Sequence, residues 1–340
     1  GLIILGRESE LTILDDSYPD RRALTIKKPI GRIVVVNSYA CEALRTLKSE
    51  DKIVGVGGST AERNEYFPKL SKLPVVGDYD SYDVEEILNL NPDILIVYGG
   101  QLFTHYSADL EEKLKGTNVI LMRFTFASPD TMSERMTILG YLLDKKNEAE
   151  EFIDFFEEIV NTVTKRTEGL SEDKKPKVFI ESMGYTCTGA TLGRHQMCTM
   201  AGGINIAADL PGHLVEVDPE WVLEQNPDII IWETYYEAVT GYEIDDPSKV
   251  EAVREDLINR PAWKEMKAVK DGKFYCMHTM MNSHRYYVGT AYMAKYFQPE
   301  LFEDLDPKEI HQRYLTEFQG LEYDLDEHGV FGYPPFEESL

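Results

Sequence analysis

No apolar run in this chain of 340 residues approaches the roughly 20 that a helix needs to cross a bilayer, so none of its helices is expected to span one. The opening Gly1-Leu2-Ile3-Ile4-Leu5-Gly6 is too short for the apolar core of a signal peptide and has no basic region or cleavage site. No initiator Met precedes it, and the start reads as trimmed. Cysteine is sparse: Cys41, Cys187, Cys198 and Cys276 form no CxxC or Cys/His pair at metal-site spacing, which leaves redox compartment and metal open. Positive charge is scarce too, with 35 Lys and Arg against 60 Asp and Glu and a formal charge of −25. That balance argues against wholesale binding of nucleic acid or an anionic membrane, and fits a solvated acidic surface or a basic partner. GxSxG, GxxxxGKS/T and HExxH are all missing, and Gly55-Val56-Gly57-Gly58-Ser59 is an incomplete dinucleotide turn. An enzyme on an α/β scaffold dependent on a metal or cofactor, the reading from another class, finds little support.

What the chain does have is one phrase written twice. Val84-Glu85-Glu86-Ile87-Leu88-Asn89-Leu90-Asn91-Pro92-Asp93-Ile94-Leu95-Ile96-Val97 is matched without a gap by Pro219-Glu220-Trp221-Val222-Leu223-Glu224-Gln225-Asn226-Pro227-Asp228-Ile229-Ile230-Ile231-Trp232. Each copy is a short amphipathic helix, an Asn-Pro-Asp stop and a buried strand. Proline lacks the backbone donor and pushes the residue before it out of helical geometry, so each helix ends at the Asn. Two similar units so far apart predict two lobes of similar build, with the functional site in the cleft between them.

The rest of the chain alternates in the same way. Apolar runs at 33–36, 53–56, 94–98 and 119–124 are separated by helical spacings, which predicts a parallel sheet covered on both faces. From Ser128 to Val163 the apolar spacing becomes that of one long helix, or two nearly coaxial ones; some 35 residues would span about 50 Å. A second alternation follows from Lys177, then closing helices at 286–296 and 307–318 and a draped or frayed tail from Glu322. The expected fold class is therefore α/β: two Rossmann-like lobes with parallel central sheets, residues 1–127 and 171–340, joined by a single long α-helix over 128–170.

Several phrases, taken in order, resemble substrate-binding proteins of ABC importers for siderophore-bound iron, haem and cobalamin. They are Asp15 to Val36, Asn37-Ser38-Tyr39-Ala40, Lys52-Ile53-Val54-Gly55-Val56-Gly57, Pro74-Val75-Val76-Gly77, both Asn-Pro-Asp units, Ala201-Gly202-Gly203-Ile204-Asn205 and Arg260-Pro261-Ala262-Trp263. The resemblance covers nearly the whole chain. It implies a helical-backbone, class III periplasmic-binding-protein-like fold and a protein that is not an enzyme. It also implies a location on the outer side of the cell membrane, often through an anchor. Glu85 and Glu220 match the surface glutamates through which each lobe docks on Arg pockets of the permease; read alone, both are first-turn carboxylates favoured by the helix dipole.

In open parallel sheets ligands sit beyond the carboxyl ends of the strands. The candidate ligand residues there are Tyr39, Arg123, Tyr185, Trp232, Tyr235, His278, His284 and Arg285. Aromatic faces and Arg forks suit a planar or anionic metal complex, although most of the 20 tyrosines are expected to be packing residues. Arg123 follows an apolar strand, where a charge needs an anion. The resemblance adds Arg194 and His195, whose loop often faces the cleft in such proteins. The expected cargo is an iron chelate, alternatively cobalamin or haem, carried by a monomer. Direct binding of a metal ion through His195, His278 and His284 competes with this, but no fixed ligand spacing favours it.

Overall fold

The structure, a computed structural model, describes residues 5–7, 9–126, 129–190, 193–234, 239–261, 263–279 and 284–336. The chain forms two compact units. The first comprises Gly1–Phe126, Asp130–Asp154 and Phe318–Leu321; the second comprises Ala127–Pro129, Phe155–Glu317 and Glu322–Leu340.

The first unit opens on antiparallel strands β1 (Leu5–Arg7), β2 (Glu10–Leu14) and β3 (Ala23–Lys27). There follow β4 (Ile33–Val35), helix α1 (Ser38–Thr46), β5 (Ile53–Val56) and α2 (Gly58–Ala61). The hairpin β6 (Gly77–Asp78) and β7 (Ser81–Tyr82) leads to α3 (Val84–Asn89), β8 (Ile94–Tyr98), α4 (Leu110–Lys113) and β9 (Ile120–Phe124). The main sheet is parallel with strand order β5-β4-β8-β9. Both faces of its apolar strands are buried: Leu95 and Val97 join a cluster with Val34, Val36, Ile87 and Leu110, while Ile94 and Ile96 are buried on the other face. The chain leaves β4 toward β5 on one side and returns to β8 on the other, which puts a topological switch point between β4 and β8.

Two helices complete the connection, α5 (Pro129–Leu142) and α6 (Lys146–Thr167). The expected long connecting helix is therefore α6, about 33 Å long at 1.5 Å per residue, and it passes from the first unit to the second at Phe155. Its expected coaxial continuation over 128–145 is corrected. Asp144 takes a left-handed φ of 57°, and a Cβ on Gly140 would stand 2.8 Å from Cβ of Ala149. Residues nine apart on one straight axis would be about 13 Å apart, so the chain folds back at 143–145.

The second unit contains β10 (Lys177–Met183), β11 (Thr186–Thr188), α7 (Gly193–Met200), β12 (Ile204–Asn205), β13 (Leu214–Glu216), α8 (Pro219–Gln225) and β14 (Ile229–Thr234). It continues through α9 (Ser248–Ile258), α10 (Lys267–Lys270), β15 (Phe274–His278), α11 (Tyr286–Phe297), α12 (Pro307–Arg313) and β16 (Gly332–Tyr333). Strands β12, β10, β14 and β15 are parallel, whereas β11, β13 and β16 pair antiparallel. These antiparallel edges are not among the strands expected from the apolar pattern. The tail is not frayed where it is described: β16 pairs with β15, and Tyr323, Leu325, Val330 and Phe331 are buried. The second switch point lies between β10 and β14.

The repeated phrase builds the same device in each unit. Asn91 and Asn226 both stop their helices at a left-handed φ of 46°. Asp93 then accepts the backbone N–H of Arg32, at 2.9 Å, just before β4, and Asp228 accepts that of Lys177, at 2.8 Å, at the start of β10. Each Asp thus ties the strand after the stop to the neighbouring first strand of its sheet.

The short segment 318–321 lies with the first unit because Gln319 is held by α1. Its Oε1 accepts Arg45 Nε at 2.6 Å, and its Nε2 donates to Thr46 Oγ1 at 2.7 Å, all buried.

Candidate functional site

At the first switch point α1 begins immediately beyond β4. Asn37 fixes it: Oδ1 accepts the N–H groups of Tyr39 and Ala40, and Nδ2 donates to the Phe124 carbonyl at 2.9 Å. Tyr98, the last residue of β8, places its hydroxyl 2.9 Å from Ser38 Oγ. Burial, with the neighbouring Tyr39 phenol, pushes the Tyr98 phenol up to about 12, so it is a neutral hydroxyl. The Tyr39 ring stands edge-on to Tyr98 at 6.0 Å, and Phe103 packs on Tyr98 at 5.1 Å. Tyr79, in the turn between β6 and β7, meets Phe103 and Tyr106 at 5.8 and 5.3 Å. Tyr79, Leu102 and Tyr106 are exposed, so this aromatic group presents open apolar area at the carboxyl edge of the sheet.

Arg123 is not part of that surface. It lies within β9 rather than after it and is 1 % exposed. Its guanidinium donates to Ser107 Oγ at 2.8 Å, the Ser107 carbonyl at 2.8 Å and Glu111 at 2.6 Å. The anion that this charge needs is the protein's own Glu111.

At the second switch point Ser182, near the end of β10, donates to Glu233 Oε2 at 3.0 Å, and Arg194 Nε donates to Glu233 Oε1. Arg194 also reaches Thr279 Oγ1 at 3.5 Å, just beyond β15. Glu233 and Ser182 are buried. His195, one residue on, is half-buried with Nδ1 3.4 Å from Asn205 Nδ2, and burial lowers its pKa so that the imidazole is neutral at pH 7.

The other expected ligand residues of the second unit, where they are described, are engaged with the protein's own groups. Tyr185 occupies the two-residue turn between β10 and β11 with φ 65°, and its ring packs on Trp263 at 5.7 Å and under the Arg260 guanidinium at 4.7 Å. Arg260 is in turn bound at 2.7 Å to the buried Glu181. Trp232 packs against the core of this unit. His278, His284 and Arg285 are buried, Arg285 donating to the Tyr242 hydroxyl, which also pairs with His311 Nε2 at 2.6 Å. The polar cluster expected after β15, from His278 to Arg285, is a buried network around Tyr242 where it is described, and residues 280–283 lie outside the described residues. So does Tyr235. Glu85 and Glu220 are exposed in the first turns of α3 and α8.

Ser38, Ser182 and Glu233 fall in segments that the sequence places at the carboxyl ends of strands, but they are not among the expected ligand residues, and Tyr98 reads only as the end of a strand. The available signal was a polar residue closing an apolar run, as Tyr98 and Glu233 do; the same signal selected Arg123. Among the described residues no group of three or more His, Cys, Asp or Glu could hold a metal ion, and no helix is long and apolar enough to cross a membrane.

Comparison with known proteins agrees with this architecture. The periplasmic binding protein family matches residues 33–279. The molybdate-binding protein MolA of Haemophilus influenzae is 21% identical over 337 residues, covering 90% of each chain. The vitamin B12-binding protein of Vibrio parahaemolyticus is 21% identical over 257 residues, 71% of this chain and 88% of that one. Among solved structures, the TroA-like periplasmic binding protein FepB from Veillonella parvula superposes with a TM-score of 0.77 at 24% identity, covering 92% of this chain and 96% of that one.

Proposed function

The chain belongs to the periplasmic binding protein family and is a binding protein rather than an enzyme, and from that premise we propose that it captures a metal chelate outside the cytoplasm and hands it to the permease of an ABC importer. A ferric siderophore is the leading cargo. The observation that carries this reading is the aromatic group of Tyr39, Tyr79, Tyr98, Phe103 and Tyr106 at the first switch point, open to solvent at Tyr79 and Tyr106. Flat rings offer area to an organic ligand face at low entropic cost, whereas a bare oxyanion is held by converging N–H donors and cations. Of the arginines expected to meet an anion, Arg123 in the first unit is buried on Glu111, and in the second unit Arg194 already carries Glu233.

The relatives span both chemistries, one named for molybdate and one for vitamin B12. The full chain, titrated with ferric catecholate and hydroxamate siderophores, ferric citrate, haem, cobalamin, molybdate and free metal ions, decides between them by tyrosine and tryptophan fluorescence and native mass spectrometry. Tightest binding of an iron chelate supports the proposal. Tightest binding of molybdate or of a free ion sinks it, and tightest binding of cobalamin or haem keeps the role but replaces the cargo.

Docking is proposed through Glu85 and Glu220, exposed at matched positions of the repeated phrase. Charge-assisted bonds from two permease arginines would set orientation. Reversing both charges, Glu85→Arg with Glu220→Arg, is expected to leave cargo affinity intact and abolish uptake; unchanged uptake would remove docking from the proposal.

A further inference from the structure

The carboxyl edge of the first unit carries charge as well as rings. The segment 99–107 links the two, since Phe103 and Tyr106 belong to the aromatic group and Ser107 Oγ accepts Arg123 Nε at 2.8 Å. The arginines gathered here face carboxylates of the protein itself. Arg123 and Arg22 meet Glu111 at 2.6 and 2.9 Å, and Arg22 also meets Asp15 at 2.9 Å. Arg135 pairs with the buried Asp16 and, at 3.2 Å, with Glu134, to which Arg21 adds a 2.6 Å bond. Asp16 ties this network to the strand ends: its carbonyl accepts the Gly100 N–H at 2.7 Å and its Oδ2 the Thr125 N–H at 2.9 Å. An anion arriving here would compete with carboxylates already in position, and breaking a buried pair from one side is costly.

Beside the exposed rings the charge is negative. Asp78 and Asp80 flank Tyr79 in the turn between β6 and β7; Asp78 Oδ1 accepts the Tyr79 N–H at 2.7 Å, and Asp80 is exposed. Asp80 above all, then desolvation, Tyr106 and Asp78, push the Tyr79 phenol up. The positive charge of Arg63, half-buried after α2, acts on the Tyr98 phenol instead. Exposed aromatic rings attract positive charge, so the rings and the carboxylates at Tyr79 favour the same sign.

We propose that the cargo met at this edge carries no net negative charge, so that a cationic or uncharged ferric chelate is taken in preference to an anionic one. A tris-hydroxamate, which cancels the charge of ferric iron, has that property; a tris-catecholate, which leaves a trianion, does not. The inference rests on the reading of this edge as the cargo site and narrows that reading to one charge class.

The test is quenching of the full chain's fluorescence at about pH 8, above the ordinary imidazole range, because His105 stacks on Tyr106 at 3.9 Å. Ferrioxamine B, cationic through its free amine, is compared with its uncharged N-acetyl and anionic N-succinyl derivatives, which keep the iron centre and change the charge of the tail, and with trianionic ferric enterobactin. Affinity is expected to fall from cation to neutral to anion by about threefold at each step, with the trianion weakest, and about 0.5 M salt should compress the series. Asp80→Asn should narrow the spread between cation and anion from about tenfold to about threefold. An unchanged spread in that variant assigns the preference to the overall charge of −25 and overturns the inference. A flat series, or tightest binding of the succinyl derivative or of the trianion, overturns it as well and leaves the cargo reading standing. Binding of none of these chelates removes the ferric cargo, and this inference with it.

Discussion

The hydroxyl of Tyr98 lies 2.9 Å from Ser38 Oγ and accepts the Ser38 backbone N–H at 3.2 Å, closing the carboxyl-end gap between β4 and β8. Its counterpart in the second unit is the 3.0 Å bond from Ser182 to Glu233 across β10 and β14. Both units thus use a serine from the first central strand, or just beyond it, to hold a residue at the end of the strand across the switch point. One of the residues held is a phenol and the other a carboxylate, which gives the two edges different chemistry.

Replacing Tyr98 by Phe removes the hydroxyl and keeps the ring. The expected cost is about 1 kcal/mol of stability, read from the urea midpoint, because a part-buried hydrogen bond is lost. Tyr39→Ala, by contrast, should leave the midpoint nearly unchanged and weaken chelate binding by about tenfold, the worth of one aromatic contact. A Tyr39→Ala variant with full affinity would show that this ring does not touch cargo.

Arg194→Ala takes a counter-charge from the buried Glu233. Breaking a buried pair from one side costs about 3–5 kcal/mol, so the variant should unfold at markedly lower denaturant. The double variant Arg194→Leu with Glu233→Gln should recover part of that loss. If Arg194→Ala is as stable as the parent, the pair does not hold the second switch point together.

His311 is buried, and desolvation together with the positive Arg285 holds its pKa well below the ordinary imidazole value. Tyr242 pairs with His311 through its Nε2, and Arg285, His278, Tyr242 and Phe331 surround it. Because the unfolded chain binds a proton here and the native chain does not, stability is fully present above about pH 6.5 and is lost as pH falls below that value toward the native pKa. Thermal unfolding between pH 7.5 and 5.5 should show a falling midpoint, and His311→Gln should flatten that slope. An unchanged slope would place the acid sensitivity in other groups.

All four cysteines are free and buried, and burial pushes the thiols up, Cys187 to about 11, Cys41 to about 12 and Cys198 and Cys276 further. With almost no thiolate at neutral pH, the native protein should fail to react with a disulfide reagent, whereas guanidinium should release four equivalents. Rapid labelling of the native chain would mean local opening around the labelled residue.

Much of the fold was legible because its signals are local. Asn91-Pro92-Asp93 and Asn226-Pro227-Asp228 carry a helix stop, a turn and a strand start within three residues each, and both do in the structure what their chemistry dictates. The turn-back at Asp144 was less visible, since Leu139, Leu142 and Leu143 continue an apolar helical spacing, and the left-handed Asp144 and the close contact of Gly140 with Ala149 reveal it. The antiparallel strands β11, β13 and β16 are only 2–3 residues long, too short to show a period. Among candidate site residues, Tyr39 sits at a switch point, but Arg123 and Arg285 do not face open surface. A charge that closes a strand must meet a partner, and sequence cannot say whether that partner is a ligand or a residue such as Glu111, 12 positions back in the chain.

The hold of α1 on Gln319 means that the first unit is not a continuous stretch of chain. A fragment ending after Asp154 would lack the side chain that occupies Arg45 and Thr46, and would leave a buried guanidinium facing a void. Dissection of this protein into separately produced halves must therefore carry those four distant residues along, for example by circular permutation, or accept a first half that is incompletely packed.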